Sequence, residues 1–205
     1  MNDPDAVLLL ARLAERGWAT SAELQGLLGK SQPTLARLLG ALAPRLLTLG
    51  AGRRTRYALP QTIAGRPAVQ PLHWVHEDGR IEAWGRLSFI AGQRVHLSAP
   101  GIDAQLVGTL PWWLAPLRGE GFIGRLLASR LSAQGVDRDP ARWPLEHQLL
   151  AALHTPDAPG ALVLGEPIGV APVALHDHDA LADGVAATLP AGSSAGGEQA
   201  TFLAC

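Results

Sequence analysis

Residues 20–59 read TSAELQGLLGKSQPTLARLLGALAPRLLTLGAGRRTRYAL, and the order of signals in this stretch decides the fold. Thr20 and Glu23 have the spacing of a capping box, in which the threonine hydroxyl and the glutamate carboxylate each satisfy a free backbone N–H at a helix start. Leu24, Leu27 and Leu28 then face inward along a short helix that Gly29 closes. Ser31 is predicted to cap the next helix, and Pro33 sits in its first turn, where no intrahelical bond is lost. Leu35, Leu38, Leu39 and Leu42 recur at helical spacing as a buried stripe. Leu46–Leu49, Gly50-Ala51-Gly52 and Arg53–Leu59 follow as strand, turn and strand.

Working outward toward the start, Asp3-Pro4 pairs an N-cap with a proline at the first helical position. Val7, Leu10, Ala11 and Ala14 are predicted as the apolar stripe of that helix, and Gly17 ends it. Helix, helix, tight turn, helix and hairpin is the order of a winged helix-turn-helix, so residues 1–60 are expected to form a DNA-binding domain. Its third helix would enter the major groove N-terminus first, presenting Ser31, Gln32, Thr34 and Arg37. Glutamine can read an adenine edge, and arginine a guanine edge or a phosphate. Arg53, Arg54 and Arg56 would lie on the wing and neutralise backbone phosphates. Winged helices can also serve as protein-contact modules, and exposed arginines on a hairpin also discourage strand pairing.

Charge supports a polyanion partner for this part of the chain. Residues 1–60 hold eight basic side chains against four acidic ones, a balance of +4, while the remainder holds nine against fourteen, a balance of −5. The single cysteine, Cys205, excludes an intramolecular disulfide and fits a reducing cytosol. Asp3 and Asp5 stand where a signal peptide would carry positive charge, and no apolar run is long enough to span a bilayer. The expectation is a cytoplasmic protein without membrane contact.

Gln61–Pro71, with Gly65, Pro67 and Pro71, reads as a linker. Residues 72–167 then read as a small β-rich subdomain with packed helices, giving an α+β fold overall. His73–His76 and Arg80–Phe89 flank Asp78-Gly79, a two-residue hairpin signal. Arg94–Leu97 and Gln105–Val107 are further strand candidates. Helices are predicted around Phe122–Leu131 and from Pro144 to Leu153, with a short strand at Gly160–Leu164. Trp112, Trp113 and Phe122 read as core aromatics, and Glu120 as a structural acceptor or helix-start acid.

The aromatic-Leu segment and Leu-Arg-Gly-Glu-Gly of Leu110–Gly124, with Leu149–Leu153 and Pro159–Leu162, resemble the N-terminal part of HipA-type toxin kinases, in the subgroup bearing an N-terminal winged helix. Residues 168–205 would then be a connector and an incomplete nucleotide loop. By that resemblance Ser194 corresponds to the autophosphorylated serine, and Gly196, Gly197 and Gln199 to the loop, while Ala200-Thr201 stands where the family has Pro-Lys. The resemblance implies that the nucleotide-contacting lysine and the catalytic lobe are both absent, so no kinase activity, catalytic residue or cofactor is expected. It implies a DNA-binding transcriptional regulator whose truncated kinase lobe makes protein contacts, or alternatively an antitoxin-like subunit or inhibitor of a separately encoded HipA-type Ser/Thr kinase lobe. The expected partners are double-stranded DNA, such a lobe or another protein, and a second copy of the chain.

His176-Asp177-His178-Asp179 is a dense run of metal-ligating types, but adjacent residues alternate faces and no zinc-type spacing accompanies it, so a polar loop without metal is expected. No His-Glu-x-x-His or Walker-type loop is present.

Overall fold

A computed structural model describes residues 3–110, 114, 121–155 and 161–167. Among the described residues the fold is mixed α+β, with five α-helices and two antiparallel sheets. The elements are α1 (Pro4–Arg16), β1 (Trp18–Thr20), α2 (Ser21–Leu28), α3 (Gln32–Leu42), β2 (Leu47–Leu49), β3 (Arg56–Ala58), β4 (Val69–Val75), β5 (Ile81–Ile90), β6 (Arg94–Ala99), β7 (Ile102–Val107), α4 (Gly121–Arg130), α5 (Leu145–Ala152) and β8 (Leu162–Leu164). One sheet has the order β1-β3-β2 and the other β7-β6-β5-β4-β8. The chain divides into two compact units, Met1–Pro71 with Trp84–Leu110 and Pro144–Glu146, and Leu72–Ala83 with Pro111–Trp143 and His147–Cys205.

In the first unit, α1 starts at Asp3, whose carboxylate accepts from the Asp5 N–H at 3.0 Å. Its buried stripe is Ala6, Leu9 and Leu13, whereas the expected Val7, Ala11 and Ala14 are exposed. The run Leu8-Leu9-Leu10 makes two adjacent faces look apolar. The face that is buried joins Ala19, Leu24, Leu35, Leu38, Leu39 and Leu42 in one core, and so the leucine stripe of α3 is where its spacing puts it. The capping box of α2 is formed as read. The Thr20 N–H donates to Glu23 Oε2 at 2.7 Å and the Glu23 N–H to Thr20 Oγ1 at 3.3 Å. Ser31 differs from expectation, because it makes no side-chain cap and its hydroxyl instead lies 3.0 Å from that of Thr34.

The predicted strand–turn–strand is present but shorter. A 3-10 turn occupies Gly52–Arg54, Thr55 Oγ1 donates to the Gly52 carbonyl at 2.8 Å, and only Arg56–Ala58 extend as β3. β3 is flanked by β2, in the register Thr48↔Tyr57, and by the unforeseen β1, in the register Ala19↔Tyr57. Leu49, Ala58 and Ile90 form a small core beneath this sheet. The residues read as a linker are tied into the same unit. Ile63 is fully buried, the Gln61 N–H donates to the Phe89 carbonyl at 3.0 Å, and Val69 already opens β4.

β5, β6 and β7 run antiparallel in the registers Phe89↔Val95 and His96↔Gln105. In the second unit, β4 pairs with β8 in the register His73↔Val163, and the turn expected at Asp78-Gly79 takes three residues, Glu77 to Gly79, closed by the His76 N–H donating to the Arg80 carbonyl at 2.9 Å. There the Trp143 indole N–H donates to the Asp137 carbonyl at 2.7 Å, and the Gln148 amide to the Trp143 carbonyl at 3.0 Å.

Candidate nucleic-acid interface

The positive charge of α1–β3 is divided into two sets. Arg12 pairs with Glu15 at 2.7 Å, Arg16 with Glu23 at 3.5 Å, Lys30 with Asp5 at 2.9 Å and Arg56 with Asp103 at 3.2 Å. Arg37, Arg45, Arg53 and Arg54 are exposed, and none of them has an acidic partner among the described residues. The excess charge seen in the sequence is therefore concentrated on four arginines. Arg37 is on α3, Arg45 ends the 3-10 turn after α3, and Arg53 and Arg54 lie in the turn between β2 and β3. Arg45 was not among the residues singled out from sequence. Its position just past the leucine stripe of α3 was the available signal.

On α3, Ser31, Gln32 and Arg37 are exposed and Thr34 is half-buried, one turn from the apolar face that Leu35 and Leu38 bury. The helix therefore offers its first turn to solvent, as a reading helix must.

Arg56 is placed differently from Arg53 and Arg54. Its guanidinium lies 4.3 Å from the Trp18 ring centroid, in cation–π geometry, while its Nη1 donates to Asp103 Oδ2. The other oxygen of Asp103 accepts from His96 Nε2 at 2.6 Å, and the His96 ring is tilted against Trp18 with centroids 5.4 Å apart. Four side chains from β1, β3, β6 and β7 thus form one polar junction around His96, which is only 3% exposed. The His96 hydrogen bond, with the Arg56 guanidinium, holds the Asp103 carboxyl below the ordinary carboxylate range. Glu23 is held low chiefly by the Thr20 backbone N–H, then by the Thr20 hydroxyl. Gly17 adds a close approach nearby. Its φ is 88°, and a Cβ there would come within 2.5 Å of Arg94 Cδ, so α1 ends against the side chains of β6 and β7 where only glycine fits.

Among the described residues, no three His, Cys, Asp or Glu side chains gather as metal ligands. None of the described helices is long and apolar enough to cross a membrane. Ser194, Gly196, Gly197 and Gln199, the His176–Asp179 run, Trp112, Trp113 and Glu120 lie outside the described residues.

The YjjJ-like toxin middle-domain family matches residues 66–169. Toxin YjjJ of Escherichia coli (strain K12) is 31% identical over 210 residues, which cover 94% of this chain and 46% of that toxin. The chain belongs to the YjjJ-like toxin family. It spans about half the length of that YjjJ relative. No solved structure matches it. Membership of the YjjJ-like family corrects the HipA-type resemblance, because the matched region contains the Leu110–Gly124 and Leu149–Leu153 segments that suggested it. Those segments were weak identifiers for a physical reason. Leu110, Leu114, Leu149, Leu150, Ala151 and Ala152 are buried, and apolar residues at helical spacing report packing before they report chemistry. The middle-domain match also begins at residue 66, so Asp103 and His96 belong to it, whereas Trp18 and Arg56 precede it.

Proposed function

We infer that α1–β3 act as a winged helix-turn-helix that binds double-stranded DNA, with α3 in the major groove and the β2–β3 turn on the phosphate backbone. The observation that carries this reading is the set of four exposed arginines without acidic partners, Arg37, Arg45, Arg53 and Arg54. Gln32 and Arg37 are side-chain types that read base edges, and Ser31 and Thr34 supply hydroxyls at the same helix start. Within a toxin family, such a segment suits a regulator of expression. The reading assigns no reaction to the chain; ATP turnover by the purified chain would refute that part.

The test is fluorescence anisotropy on duplex DNA from the region upstream of the gene, against scrambled duplex, at two salt concentrations. Tighter, salt-sensitive binding to the upstream duplex is expected. Equal affinity for both duplexes removes the sequence-specific reading, and no binding at low salt removes DNA altogether. A second reading, protein contact through the outer face of α1, is favoured by Val7 and Leu8, which are 59% and 46% exposed. A second copy of the chain is the partner it favours, and light scattering showing a monomer would count against it.

A further inference from the structure

We propose that Asp103 masks Arg56 from nucleic acid, so that the β6–β7 hairpin sets how many phosphates the β2–β3 hairpin can neutralise. The proposal rests on the DNA-binding reading above. Arg56 follows Arg54 by two residues, yet among the described residues it is the one arginine of this hairpin held by an acid. It is not hidden in a core, since 24% of its side chain is exposed. What withholds it is its partner. The Asp103 carboxylate has both oxygens engaged, one by Arg56 at 3.2 Å and the other by the buried His96 at 2.6 Å. Such a doubly held carboxylate stays in place, cancels the arginine's charge at short range and repels an approaching phosphate. Trp18 keeps the guanidinium stacked at 4.3 Å, which orients it without supplying charge. Asparagine at 103 has nearly the same shape and still accepts a hydrogen bond from His96, but it removes the negative charge.

The experiment uses the full chain on the upstream duplex, with affinity followed across a series of salt concentrations. Asp103→Asn is expected to bind more tightly and to steepen the log–log salt dependence by about 0.9, one additional phosphate neutralised. Adding Arg56→Ala to it should return the slope to that of the wild type. Arg56→Ala alone should leave the slope unchanged, because that arginine is already masked. An unchanged slope in Asp103→Asn overturns the proposal, as does a flatter slope in Arg56→Ala alone, which needs no folded Asp103 variant to interpret. Wild-type protein that fails to bind DNA at low salt would instead overturn the DNA-binding reading, and the mask with it.

Discussion

At the turn between β2 and β3, Arg53 and Arg54 stand exposed and without acidic partners among the described residues. Where the same hairpin passes into β3, Arg56 is stacked on Trp18 and paired with Asp103. All three were equivalent as sequence, a basic cluster on a predicted wing. The difference teaches that Arg53 and Arg54 belong to a turn open to water, whereas Arg56 belongs to a strand whose side chain meets Trp18 of the neighbouring β1 and Asp103 of β7. Charge counted along a chain overstates the charge a ligand can meet.

The comparison is broken most severely from beneath. Leu49 packs with Ala58 and Ile90 under the hairpin, so Leu49→Ala is expected to cost about 2–5 kcal/mol of stability, measured by urea unfolding. A loss under about 0.5 kcal/mol would mean that the hairpin is not anchored there.

The polar junction comes next. His96→Ala removes the buried donor to Asp103 and should cost about 1–3 kcal/mol. The same contact gives a pH dependence with a defined sign. The folded Asp103 carboxyl titrates below its ordinary 3.8, so its contribution is present above that value and is lost as pH falls through the lower folded value. The loss of stability on acidification below 3.8 should be shallower in Asp103→Asn than in wild type. Identical acid profiles would show that the junction does not contribute.

Changes at the exposed turn should be the mildest for the fold. Arg53→Ala with Arg54→Ala should alter stability by no more than about 0.5 kcal/mol. Yet it should flatten the salt dependence of DNA binding by roughly 1.8, two phosphate contacts. A destabilised double variant with unchanged DNA binding would reverse the roles assigned to turn and strand.

What the sequence disclosed follows the same division. The Thr20–Glu23 box, the α3 leucines and the turn around Asp78-Gly79 are set by neighbours within a few residues; the first two formed as read, and the turn formed there with one residue more than the two expected. The face of α1 was misjudged because three consecutive leucines leave the phase to tertiary packing. β1 was missed because its partner strand lies about 40 residues away along the chain, as the pair Ala19↔Tyr57 shows. Half of the junction was within reach. A turn at Pro100-Gly101 pairs Ser98 with Asp103 and puts His96 one diagonal away. The Arg56 half was not, since no local pattern reports a contact spanning 47 residues.

That span also has a meaning in time. Ribosomes add residues at about 5–20 per second, so Arg56 is made roughly 2–9 s before Asp103. Through those seconds the nascent chain carries Arg53, Arg54 and Arg56 without the carboxylate that holds Arg56 in the folded protein. The carboxylate that arrives later closes that interval.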